Sequence, residues 1–294
     1  MFFLFLITLP PGIRGERNKM NKINYTTALT HGGVFHADDV FSSALLRILN
    51  PEIKISRVYK APEEVSADTI VFDIGFGRYD HHQKDAEIRN NGIKYAAFGL
   101  LWRDFGHMIM SEEYADRFDR DFIKPLDNTD NGGGLNPMSM AVSSFVPNWD
   151  DENQYMDEAF FKAMDFAEDV LRREFLRIES SERAEQEVKT ALNASDGEIV
   201  VLERFCPWQS VLIPSTAKFV IFPSLRGGFQ AQAVPTSLGG RDQKVPFPAE
   251  WSGKTAQELQ EYVNGMTFCH PGRFMISTET VEQAVEACKK AMEK

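Results

Sequence analysis

Apolar segments that run straight into His and Asp constrain this chain more than any other feature. "YTTALT" (25–30) leads into "HGGVFHADD", and the amphipathic stretch "DDVFSSALLRIL" follows. "DTIVFDIG" (68–75) crosses a glycine turn into "RYDHHQ", and "YAAFGLLWRDF" (95–105) comes next. Phe41, Ala44, Leu45, Ile48 and Leu49 fall on one helical face, whereas "IKISRVY" (53–59) alternates as a strand does. Alternating strands and helices predict an α/β fold with a parallel sheet and right-handed crossovers. The "IVF" run is apolar enough for a central strand.

In such sheets ligands bind outside the carboxyl ends of the strands. Four of the six histidines lie between positions 31 and 82, each close behind an apolar segment. His31, His36, Asp38 and Asp39 would therefore share one sheet edge with Asp73, Asp80, His81 and His82. One Asp alone is better read as a helix cap or turn residue. Several buried carboxylates together repel unless cations neutralise them. A His and Asp site without Cys suits manganese, magnesium, iron or zinc. "LDNTDNGGG" (126–134) adds Asp127 and Asp130, one helical turn apart, at the end of a helix expected from Tyr114, Phe118, Phe122 and Leu126. Either could supply a last carboxylate, with Asp127 preferred.

From Asp157 to about Asn193 the chain reads as one or two long helices. After Asp196 it changes to short strands ("EIVVLE", "SVLIP", "KFVIFPS", "FQAQAVP") and two helices ("TAQELQEYV", "VEQAVEACKKAM"). The turn formers of "ALNASDG" place a boundary there, giving domains over 22–195 and 196–294. The net charge of −11 argues against a general polyanion binder. However, the back domain holds 10 Lys and Arg against 11 Asp and Glu, so the front carries nearly all the negative charge.

"THGGVFHADD", "VFDIG", "YDHHQ", "AAFGLLWRDFG" and "LDNTDNG", in this order, resemble the DHH phosphoesterase superfamily. That group includes the exonuclease RecJ, oligoribonucleases and family II inorganic pyrophosphatases. Within it the blocks are most similar to the melanocyte-proliferating-gene family. "FQAQAVP", "PFPAEWSGKTAQEL" and "TFCHPGRFMISTETVEQAVEACKKA" extend that resemblance nearly to the end of the chain.

The resemblance implies a DHH-type parallel-sheet domain followed by a smaller α+β domain that closes over substrate. It implies metal ligation by His31, His36, Asp38, Asp73, His81 and Asp127, with His82 on the scissile phosphate. Asp73, His82 and Asp39 are expected as the catalytic groups. Asp80 would orient a histidine from behind, and Asp130 would support the site. His270, Arg273, Arg226 and Arg241 are the candidates for phosphate or nucleobase contacts. His36 stands where the superfamily commonly has Asp, which makes the site less negative.

The expected cofactor is a pair of divalent ions, Mn²⁺ before Mg²⁺ or Zn²⁺, with a bound hydroxide as nucleophile and Asp73 bridging. The expected reaction is 3′→5′ exonuclease cleavage of single-stranded RNA or a short oligonucleotide. Hydrolysis of amide bonds or small phosphodiesters is a second reading, kept open by the His-rich first motif. A metal-stabilised interaction module is a third, and candidates at every motif argue against it.

Three scattered cysteines exclude a disulfide framework and fit a reducing compartment. "MFFLFLITLP" falls short of the ~20 apolar residues that a membrane span needs. Arg14, Arg17 and Lys19 give this end a presequence-like character. Residues 1–21 are read as an extension outside the fold, and the protein as an intracellular one of cytoplasm, nucleus or mitochondrion.

Overall fold

The computed structural model describes residues 23–293, so the expectation for residues 1–21 lies outside the described residues. The chain separates into two compact units that divide between Leu176 and Arg177.

The first unit opens on β1 (Thr27–His31), α1 (Ala37–Leu49), β2 (Lys54–Val58) and β3 (Thr69–Val71). The three strands form a parallel sheet in the order β2-β1-β3. The central strand is thus β1, which pairs with β2 from Thr27 to His31 and with β3 from Thr27 to Leu29. The apolar "IVF" run was expected in the middle. Instead β3 lies at the side of this sheet, with Ile70 and the following Phe72 buried and Val71 half-buried. Most of α1 is buried, including Ser42 and Ser43, so its periodicity understates how enclosed it is.

Next come α2 (Ala97–Phe105), α3 (Glu112–Phe118), α4 (Lys124–Asp130) and α5 (Pro137–Ser143). Trp102 ties α2 to α3 through its indole N–H, which donates to the carbonyl of Ala115 at 3.0 Å. The helix expected to run unbroken to Leu126 is interrupted by a π segment, Asp119–Ile123, where the Lys124 N–H donates to the Asp119 carbonyl. Pro125 explains the offset, because it has no N–H to offer Asp121 and its ring would crowd the preceding turn. Then α6 (Met156–Ala194) runs unbroken for 39 residues. It buries Phe160, Ala163, Met164, Ala167, Leu171 and Phe175 at helical spacing. Arg47 of α1 pairs with Asp165 and Glu168 on the same helix.

The second unit contains β4 (Ile199–Val201), α7 (Gln209–Leu212), β5 (Phe219–Pro223), β6 (Phe229–Ala233), α8 (Ala256–Leu259), β7 (Met266–Cys269), β8 (Met275–Thr278) and α9 (Val281–Met292). Its sheet runs β4-β5-β6-β8-β7, parallel at β4/β5 and antiparallel elsewhere. Both faces are covered. Phe219 and Ile221 pack with Phe247, Trp251 and α9, while Val220 and Phe222 pack with Trp208, Leu212 and Val188.

Two expectations change here. "SVLIP" is mostly the one-turn helix α7, because Trp208 and Leu212 meet a core at helical spacing. "TAQELQEYV" holds a single turn, capped by Thr255 and Glu258. Among the described residues no helix is long and apolar enough to cross a membrane.

Candidate metal centre

The carboxyl edge of the first sheet gathers the His and Asp residues. His31 ends β1, and its Nδ1 lies 3.1 Å from the Gly32 carbonyl. A carbonyl can only accept, so Nδ1 carries the proton and Nε2 faces Asp39 at 3.2 Å and Asp73 at 3.3 Å. Asp39 sits in the first turn of α1 and accepts from the His36 N–H at 2.9 Å. Its neighbour Asp38 accepts from the Ala97 and Phe98 N–H groups at 2.9 and 2.7 Å, the open donors at the start of α2.

Asp73 lies just past β3 with a φ of 54°, a region that L residues seldom adopt. Its two oxygens face two different rings. Oδ2 is beside His31, and Oδ1 is 3.2 Å from His81 Nε2. His81 also stands 3.1 Å from Asp130 and 3.8 Å from Asp38. Asp80 accepts at Oδ1 from His82 Nδ1 (2.7 Å) and at Oδ2 from the Phe76 N–H (2.6 Å). His82 is thus held by one nitrogen, and its side chain is 55% exposed.

Three groups of donors result: His31, Asp39 and Asp73; Asp38, His81 and Asp130; and Asp73, His81 and His82. Within each, the donor atoms lie within 4.8 Å of one another. Asp39 Oδ2, Asp73 Oδ1 and His81 Nε2 are buried yet make no hydrogen bond of good geometry. Buried polar atoms that converge without satisfying one another fit a cation between them. An oxygen and imidazole set with no thiolate suits hard or borderline divalent ions.

Charge in the site is strongly coupled. Burial raises Asp39 to about 7 against the pull of His31. Asp38 is raised by burial and then by the charges of Asp73, Asp130 and Asp127. Burial opposes protonation of both histidines, but the carboxylates outweigh it and hold His31 at about 9 and His81 at about 11. Burial also works against ionised Asp73, which these two rings nevertheless keep at about 2.

Two residues expected as ligands stand elsewhere. His36 is exposed, with its ring 6.2 Å from that of His31, and belongs to none of the three groups. Asp127 is buried and pairs with Arg89 at 2.6 Å, while Asp130 takes the place beside His81. Burial raises Asp127 to about 7, with Arg89 opposing. Arg89, which also bonds Asp119 and lies 3.8 Å over the Tyr95 ring, carried no signal in "AEIRNNG". Nor did Arg57, whose guanidinium donates to the Gly33 carbonyl and pairs with Asp157, so steadying the "HGGVFH" loop.

In the second unit, His270 and Arg273 form the β7–β8 turn, where the Arg273 N–H donates to the His270 carbonyl and Arg273 has a φ of 57°. Arg241 lines a cavity of about 510 Å³ with Trp208, Gln232, Gln243 and Phe274, near that turn. Arg226 lies in the β5–β6 turn, at the opposite end of the sheet, because β6 and β8 run antiparallel from Phe229/Thr278 to Gln232/Met275. The structure therefore brings three of the four expected substrate groups to one edge and leaves Arg226 at the other.

Residues 27–292 match the MYG1 exonuclease family model, described as "Uncharacterised protein family (UPF0160)". The MYG1 exonuclease of Rattus norvegicus is 27% identical over 97% of this chain and 89% of its own length. That of Homo sapiens is 27% identical over 88% and 84%. The MYG1 protein of Dictyostelium discoideum is 26% identical over 88% and 94%. No solved structure matches the chain. With the match spanning nearly all of the described residues, the chain belongs to the MYG1 family.

Proposed function

We propose that this protein is a divalent-metal-dependent phosphodiesterase that removes nucleotides from the 3′ end of single-stranded RNA. One observation carries the reading: Asp73 faces His31 with one oxygen and His81 with the other, as a carboxylate shared by two cation sites would. The relatives called exonucleases in rat and human support a nuclease, and the likeness to DHH phosphoesterases supports cleavage of a phosphodiester.

His31, Asp39 and Asp73 would hold one cation, and Asp73, His81, Asp38 and Asp130 the other. When bound, such a pair supplies positive charge for the phosphate oxygens and a water acidic enough to attack near neutral pH. Asp38 would remain a usable ligand, because each carboxylate oxygen keeps a lone pair beyond its bond to α2. Asp80 fixes the His82 tautomer, since a carboxylate can only accept from Nδ1. To contact a non-bridging oxygen of the phosphate, Nε2 would carry a second ring N–H, since a bare ring nitrogen and a phosphate oxygen are both acceptors. Within the second unit, Arg241, Arg273 and His270 would be the groups suited to phosphate.

The test is degradation of 5′-labelled single-stranded RNA and DNA with Mn²⁺. A ladder that shortens stepwise from the 3′ end, on RNA in preference to DNA, is expected. Internal cuts, or release of the labelled 5′ nucleotide without a ladder, would refute the exonuclease direction.

A further inference from the structure

Two aromatic rings at the rim of this centre are used by nothing above. Tyr59 directly follows β2 and is 88% exposed. Its ring lies over the glycines next to His31: a Cβ placed on Gly32 would meet Tyr59 Cε1 and Cζ at 3.3 Å, and one on Gly33 would meet Cε1 at 3.8 Å. Phe76 is 72% exposed and has a φ of 56°, where Gly or Asn is the usual occupant. The Asp80 carboxylate that holds His82 also fixes the Phe76 N–H.

The two loops touch. A Cβ on Gly75 would come 2.7 Å from that of Ala61, so the chain around Tyr59–Ala61 packs against Gly75–Phe76. Val34, between His31 and His36, is also 54% exposed. Single exposed apolar residues are ordinary. A phenylalanine kept in a left-handed turn, one hydrogen-bonding carboxylate away from His82, gains nothing from burial there.

We propose that Phe76 and Tyr59 form a stacking platform for the unpaired nucleobases of the strand entering the centre, an inference that rests on the nuclease reading. Every base has a π face, so such a platform selects single strands without selecting sequence. A duplex hides those faces except at its ends. Phe76 would place the base next to the phosphate that His82 contacts, because one carboxylate sets both.

The probe is a fluorescein-labelled phosphorothioate decamer of thymidine, compared by anisotropy with an abasic strand of the same linkages, at saturating Mn²⁺. The wild type is expected to bind the base-bearing strand about tenfold tighter per stacked base. Phe76→Asn, which accepts the same backbone angle, and Tyr59→Leu should each bring the ratio toward one, and Phe76→Trp should restore it. Equal binding of both strands by the wild type, or a ratio that survives Phe76→Asn and Tyr59→Leu, overturns the platform. Cleavage of natural RNA by a wild type that binds both strands equally would leave the nuclease reading standing alone. Base-selective binding without cleavage would leave the platform and remove the nuclease. No binding of either strand overturns the platform, and the RNA cleavage assay then decides the nuclease reading by itself.

Discussion

His82 Nδ1 lies 2.7 Å from Asp80 Oδ1, and Asp80 is 2% exposed. The buried carboxylate thereby orients a half-exposed ring, and under the proposed function Nε2 would be the atom that meets the phosphate. Removing such a support commonly costs ~10–100-fold in activity. Asp80→Asn should lower kcat within that range while leaving bound Mn²⁺ unchanged. Adding Asp80→Asn to His82→Ala should cost little more than His82→Ala alone, since the two act through one ring. Steady-state rates with metal content by mass spectrometry check this.

Asp127 and Asp130 divide the labour at the end of α4. Asp130→Asn should weaken Mn²⁺ binding at least about tenfold, because it stands 3.1 Å from His81. Asp127→Asn should leave metal affinity near the wild-type value. It should cost about 1–3 kcal/mol in stability, as the buried Arg89 loses a charged partner. Calorimetric titration and urea melts separate the two outcomes, and the opposite pattern would exchange the roles.

Why Asp130 rather than Asp127 reaches His81 was not legible in the chain. The two differ by one helical turn, and the choice depends on the π segment before Pro125 and on Arg89, which arrives from a distant loop. By contrast, His31, Asp38, Asp39, Asp73 and the Asp80–His82 run could be read together, because strand ends in a parallel sheet share one edge. Arg226 and Arg273 stand together in the sequence reading because a guanidinium at either place could bind phosphate. Long-range antiparallel pairing then sets them at opposite ends of a sheet, and local sequence carries no trace of that. The placement of "IVF" at the side of the sheet has the same origin, since strand order is a tertiary property.

Gly99 makes a further prediction. It lies in α2 against the Asp127 carboxylate and the Arg89 guanidinium, and a Cβ there would overlap both. Alanine normally gains ~1 kcal/mol over glycine inside a helix. Overpacking against a buried ion pair costs about 1–3 kcal/mol and should win. Gly99→Ala is therefore expected to lower the urea midpoint of the metal-free protein. A raised midpoint would mean that the pair can shift.

Metal binding should release protons. In the metal-free protein His31 (about 9) and His81 (about 11) are both protonated at pH 7, the carboxylates outweighing the opposing effect of burial. Ligation requires neutral imidazole, so each cation displaces a proton and affinity rises with pH. At least about two protons per chain should leave on saturation at pH 7.5, since the raised carboxyls of Asp38 and Asp39 also give up whatever proton they hold. Calorimetry in buffers of different ionisation enthalpy counts them, and a value near zero would contradict the assigned ligands.

The central claim is that Asp73 is shared between two cations, and counting Mn²⁺ tests it most directly. Metal-free protein titrated with Mn²⁺ and followed by electron paramagnetic resonance should take up two ions per chain with a spin-coupled signal. His81→Ala should keep at most one uncoupled ion. Weak, unsaturable uptake by the wild type, or unchanged coupling in His81→Ala, would contradict the account.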